Sequence, residues 1–144
     1  MIGHKIAQSL SEDFILTGST RKNISNSDIG IKNCNLITHN FITDNTSTLL
    51  DNTNPDIIIN CVGITIRRGL NNSIENTKKL NSDLPHKLNH WVETNNKKLI
   101  HLSSDCVFSG KKGNYSDESI PDATDLYGIS KSKGEVTGNN ALTI

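Results

Sequence analysis

The sequence predicts a doubly wound α/β domain built on a parallel sheet, and three observations carry that reading. Strand-like and helix-like segments alternate along the chain, as in βαβ units. The clearest strand, Asp56–Cys61 (DIIINC), has the unbroken apolar centre of a strand covered on both faces. The longest helical candidate, Ser73–Asn95, lies between that strand and the next, Lys98–Ser103 (KLIHLS).

The elements follow in order. Ile2–Leu10 places Ile2, Ile6 and Leu10 at helical spacing. Phe14–Thr17 is a short apolar run that reads as a strand ending in Gly18. Residues 18–34 are polar and show no period, and Leu36–Ile37 reads as a short strand. Thr46–Asn52 reads as a short helix stopped before Pro55. On Ser73–Asn95, Leu80, Leu84, Leu88 and Trp91 fall on one face, which assigns Trp91 to packing. A loop rich in Gly, Asp and Ser runs from Asp105 to Thr124, then a helix over Asp125–Thr137 and a strand over Ala141–Ile144. No repeat or linker interrupts the chain, so residues 1–144 read as one compact unit.

Composition narrows the function. The 144 residues carry 15 Lys+Arg against 15 Asp+Glu, a net charge of zero, without the basic excess of a nucleic-acid or anionic-membrane binder. The apolar share is 33% and its runs are far too short to span a bilayer. The first twenty residues lack the apolar core of a signal peptide. Cys34, Cys61 and Cys106 form no CxxC pair, and a reduced, cytoplasmic setting is the simplest reading. No Cys/His cluster has zinc-ligand spacing, and the five histidines are scattered.

The ends read as cut. A nucleotide-binding α/β fold opens with a strand, a glycine turn and then a helix. This chain opens inside the helix, and Met1-Ile2-Gly3-His4 resembles the tail of a GxxGxxG turn with Gly3 as its last glycine. The expectation is a fragment lacking the first strand, with Met1 an internal methionine. The competing reading is a true start with an incidental glycine, and a stop codon directly upstream would favour it.

Two places carry chemistry. Tyr127 and Lys131 stand four apart in YGISK, on one face of a helix. An ammonium beside a phenol stabilises phenolate and brings it toward neutral-pH proton transfer. The competing reading is a surface Tyr stacked on a Lys stem. Ser103 and Ser104 close the strand at 98–103, and carboxyl ends of strands are where open α/β sheets hold ligands. A hydroxyl there can donate to a substrate oxygen. It can equally satisfy the backbone of its own turn.

Together these segments resemble the extended short-chain dehydrogenase/reductases, and within them the dTDP-4-dehydrorhamnose reductase or sugar-nucleotide-binding branch. The residues are Ser103–Tyr115 (SSDCVFSGKKGNY), Glu118 and Tyr127–Glu135 (YGISKSKGE). Asn54–Gly63 (NPDIIINCVG) resembles the family's fourth strand and Asn81–Pro85 (NSDLP) its following helix. The resemblance implies a Rossmann-like doubly wound sheet, here also without the C-terminal substrate lobe. It implies that Tyr127 protonates a carbonyl as hydride arrives from a nicotinamide. Lys131 would lower the Tyr pKa and hold the nicotinamide ribose, and Ser104 would polarise the same carbonyl. Gly3, Cys61, Val62 and Gly63 would line the cofactor. Cys106 stands where an aromatic residue is usual and Ala123 where Pro is common, which bears on the sugar more than on the reaction.

Further residues bear on ligands. Arg67 and Arg68 could pair with a sugar-nucleotide pyrophosphate, against a solvated loop pair as the alternative. After the second strand come Ser19, Thr20 and Arg21, with no carboxylate, which favours NADP over NAD. Pro85 has no N–H, so the Asn81 carbonyl loses its helical partner, and it is expected to face the Lys131 ammonium directly or through one water. The implied protein is an NADPH-dependent reductase of a 4-keto sugar nucleotide, in deoxysugar or surface-polysaccharide synthesis, with a homodimer allowed for the full-length form. The fragment alone is expected to be inactive. The alternatives are an epimerase or dehydratase of the same superfamily, and a non-catalytic nucleotide-binding regulatory subunit.

Overall fold

The computed structural model describes residues 2–65 and 73–144. They fall into two compact units, Met1–Asn54 and Pro55–Ile144.

The first unit comprises α1 (Ile2–Leu10), β1 (Leu16–Thr20), α2 (Asn26–Ile29), β2 (Cys34–Thr38) and α3 (Thr46–Thr53). Strands β1 and β2 are parallel, from Leu16 opposite Cys34 to Thr20 opposite Thr38. The first strand starts later than the apolar run predicts. Phe14 and Ile15 are exposed, and Gly18 lies inside β1 rather than ending it. A Cβ at Gly18 would come within 3.2 Å of Cys34 Sγ and Leu36 Cδ2, so the glycine admits the side chains of β2. The polar stretch without a period holds α2, which a capping box builds. The Ser25 side chain accepts the Asp28 N–H while Asp28 accepts the Ser25 N–H. Gly30, at φ 62°, closes it in the left-handed conformation.

The second unit comprises β3 (Ile57–Asn60), α4 (Ile74–Lys78), a π-helical turn (Lys79–Asp83), α5 (Leu84–Asn95), β4 (Lys98–His101), a 3₁₀ turn (Asp105–Val107), α6 (Leu126–Ser132) and β5 (Ala141–Thr143). Its sheet has the order β3-β4-β5, all parallel. Parallel strands joined through helices give a Rossmann-like α/β fold. The apolar face read from the sequence is the core: Leu80, Leu84, Leu88 and Trp91 are buried, with Val92 and Leu99.

The long helix is not continuous as its periodicity predicts. Pro85 supplies no N–H to the Asn81 carbonyl, and the Leu84 N–H reaches back five residues to Lys79 instead. The last helix stops at Ser132, short of the predicted Thr137. The chain then turns tightly at Gly134, where a Cβ would collide with the Asn81 carbonyl. Among the described residues no helix is long and apolar enough to cross a membrane.

Candidate active site

The site is assembled at the carboxyl ends of β3 and β4. In the paired register Asn60 lies opposite His101, and both side chains are buried. Beyond β4 the Ser104 side chain caps the 3₁₀ turn by accepting the Cys106 N–H at 3.2 Å. That turn packs on α6, where Gly128 leaves room for the Cys106 carbonyl that a Cβ would strike. Asp125 starts α6 by accepting the N–H groups of Tyr127 and Gly128 at 2.9 and 3.0 Å. Tyr127 and Lys131 are thereby set four residues apart on one short helix, with Ser104 at the head of the turn it packs against.

The two helical side chains differ. Tyr127 is half-buried, and no described residue hydrogen-bonds its phenol. Lys131 is 4% exposed, so its charge is largely cut off from water. Its Nζ donates to the Leu102 carbonyl at 2.6 Å and lies 3.4 Å from His101 Nε2. Burial pushes the Lys131 pKa down, opposed by the Glu135 carboxylate. Glu135 itself accepts the Ser103 hydroxyl at 2.6 Å. Burial, then the Lys131 charge and then His86, push the His101 pKa from 6.5 to about 4.

Asn81 locks the elements around this point. Its Oδ1 accepts the Ile64 N–H at 2.8 Å, and its Nδ2 donates to the Ile64 carbonyl and to Ser130 Oγ, both at 3.0 Å. One side chain therefore ties the loop after β3 to α6. The Asn81 carbonyl, freed by Pro85, abuts Gly134, and the Lys131 Nζ hydrogen-bonds Leu102 instead. Of the two routes expected between that carbonyl and the lysine, the direct hydrogen bond is not made. Gly134 fits against the carbonyl because it carries no side chain.

The remaining candidates are dispersed. Cys61 and Gly63 are exposed just past β3, Val62 is half-buried, and desolvation raises the Cys61 thiol pKa. The Val62 N–H donates to Asn60 Oδ1. Gly3 lies in α1 and Arg21 is exposed directly after β1, both in the first unit. Arg67 and Arg68 lie outside the described residues. Among the described residues no group of three or more His, Cys, Asp or Glu side chains is placed to hold a metal.

Sequence reading passed over Asn60 and His101. Their signal was the matching position of a polar residue at the end of two apolar strands, IIIN and KLIH.

A model of the family described as RmlD substrate binding domain matches residues 1–142. No curated protein matches the chain significantly. Among solved structures, a hypothetical dTDP-4-dehydrorhamnose reductase from Sulfolobus tokodaii is similar at TM-score 0.83 and 23% identity, over 99% of this chain and 50% of that one. A UDP-glucuronic acid 4-epimerase from Bacillus cereus, in complex with NAD, is similar at TM-score 0.73 and 17% identity, over 93% and 47%. A UDP-N-acetylglucosamine 4-epimerase from Methanobrevibacter ruminantium gives 0.76 and 18%, over 94% and 45%. The chain spans about half the length of these structures.

Proposed function

The chain belongs to the RmlD substrate binding domain family, in the dTDP-4-dehydrorhamnose reductase-like branch of the extended short-chain dehydrogenase/reductases, and from that premise we propose that it is part of an NADPH-dependent reductase of a 4-keto sugar nucleotide. The observation that carries the reading is the setting of Tyr127 and Lys131 on α6, against the turn that Ser104 caps.

On this reading the nicotinamide supplies hydride when bound, and the protein handles the proton and the charge. Tyr127 donates its phenolic proton to the substrate oxygen as the carbonyl is reduced. Lys131, when charged, stabilises the phenolate left behind. The oxygen of Ser104 accepts the Cys106 N–H and its hydroxyl donates to Asp105 Oδ1 at 3.3 Å, a long exposed bond that the proton exchanges for the substrate carbonyl on this reading. Residues in each unit support the cofactor reading. The exposed guanidinium of Arg21 suits the 2′-phosphate that distinguishes NADPH. Cys61, Val62 and Gly63 follow β3 at the strand end where such folds bind dinucleotides. The product would serve deoxysugar or surface-polysaccharide synthesis in the cytoplasm.

Tyr127→Phe in the full-length protein tests the assignment. Loss of turnover by about 100-fold or more, with NADPH binding kept, is the expected result. Unchanged turnover refutes it. A second reading, an epimerase, draws on the similar epimerase structures, one of them in complex with NAD. Net consumption of NADPH during turnover separates the two, since an epimerase returns its hydride. A clear preference for NADH over NADPH would overturn the role given to Arg21.

A further inference from the structure

The hydrogen bonds around His101 have a fixed direction. The Val62 N–H donates to Asn60 Oδ1 at 3.0 Å, which decides which end of the amide is oxygen. The other end, Nδ2, is then the atom 3.0 Å from His101 Nδ1. An amide nitrogen only donates, so Nδ1 must accept, and the proton of the neutral ring lies on Nε2. Turning the amide over would set its NH₂ against the Val62 N–H. Nε2 is the ring atom that faces Lys131 Nζ at 3.4 Å. The lysine therefore meets an N–H on one side and gives a hydrogen to the Leu102 carbonyl on the other.

We propose that Asn60 and His101 form a relay of fixed polarity from the Val62 N–H to Lys131, in which His101 is a positioning residue that presents Nε2–H to the lysine. A neutral amine has a lone pair to accept that N–H, whereas an ammonium opposes it donor to donor. The relay so weakens the hold of Lys131 on its proton. Asn60 approaches from β3, and His86 acts on His101 from α5. Glu135, held by Ser103, acts on Lys131 from beyond α6 and favours the ammonium. Burial works in the same direction as the relay, lowering the pKa values of both Lys131 and His101. The consequence for catalysis rests on the reductase reading. There the charge that supports the Tyr127 phenolate is lost as pH rises through the lowered Lys131 pKa, and that loss sets the alkaline limb of activity.

The relay is tested without substrate, on the full-length protein labelled with ¹⁵N-histidine. The His101 ring is assigned by the signal lost in His101→Gln. At about pH 5.5, between the ordinary histidine value and the lowered one, the ring is expected to be neutral and protonated on Nε2. A Nδ1–H ring, or an imidazolium at that pH, overturns the proposal. As a second measurement, the ¹³Cε resonance of Lys131 is titrated in the wild type and in Asn60→Ala. An upward shift of about one pH unit is expected when the relay loses its anchor. An unchanged titration in a folded variant overturns the proposal. Should Asn60→Ala fail to fold, the wild-type tautomer decides alone. Because neither readout needs turnover, an intact relay in a protein without reductase activity would sink the reductase reading only. Turnover by a protein with a Nδ1–H ring would sink the relay only.

Discussion

The two units satisfy their polar side chains in different ways. In the first, most such bonds are local and exposed: Ser25 with Asp28, Asn40 with Asp44, and Asn45 with Ser47 and Thr48. The second has local, exposed bonds of the same kind, such as Asp125 with Tyr127, but it also holds buried ones between residues far apart in sequence. Asn60 meets His101 across 41 positions, Ser82 reaches the Ser130 carbonyl across 48, and Asn81 reaches Ser130 Oγ across 49. A local cap in water substitutes one hydrogen bond for another and is worth little net. A buried pair leaves an unsatisfied group behind when one partner goes, so its removal costs the full desolvation of the other. The second unit is therefore where single substitutions should do most damage.

The largest effect is expected at Asn81. Asn81→Ala strips partners from the Ile64 N–H, the Ile64 carbonyl and Ser130 Oγ. Ser130 Oγ keeps its bond to the Tyr127 carbonyl, so two buried groups are left unpaired, and at about 1–3 kcal/mol for each a loss of about 4 kcal/mol is expected. Denaturant unfolding of the full-length protein measures it. A loss under about 1 kcal/mol would mean that the second unit is no more demanding than the first.

Acid should reveal the same contrast. His101 is fully buried, and its pKa falls from 6.5 to about 4 in the fold. As pH drops below about 6.5 the unfolded chain takes up a proton that the folded one refuses. Stability from this residue is whole above that range, is lost as pH falls from about 6.5 to about 4, and changes no further below. The loss is about 3 kcal/mol, at about 1.4 kcal/mol per pKa unit. His101→Gln should flatten that part of the stability curve, and a curve of unchanged slope would show that the ring is not held neutral.

Gly128→Ala should cost about 2 kcal/mol, because the added methyl meets the Cys106 carbonyl and the 3₁₀ turn must move off α6. That movement would carry Ser104 with it, so on the reductase reading kcat is expected to fall more than stability alone explains.

How much of this was legible in the chain follows the same division. The buried face of the long helix was readable because four apolar residues repeat at helical spacing, and all four are in the core. Strand β3 was readable because its apolar run is unbroken. The start of β1 is not legible in the apolar run, because Phe14 and Ile15 lie exposed before the strand begins at Leu16. Helix α2 went unseen because it has no apolar period and exists through the Ser25–Asp28 box. Tyr127, Lys131 and Ser104 are proposed from the sequence because each belongs to a short motif. Asn60 and His101 are not, because their partnership is made by strand register and not by spacing along the chain.

The smallest expected effect closes the comparison from the other side. Asn45 caps α3 by accepting the N–H groups of Ser47 and Thr48 at 2.9 and 3.3 Å, all three exposed or nearly so. In Asn45→Ala those N–H groups turn to water, and the loss is the ordinary one for a missing cap, about 1 kcal/mol. Hydrogen exchange should register it over α3 and leave the amides of β3 and β4 unchanged. A loss as large as that of Asn81→Ala would mean that an exposed bond in the first unit matters as much as a buried one in the second. The difference would then lie in how the hydrogen bonds are drawn and not in what they are worth.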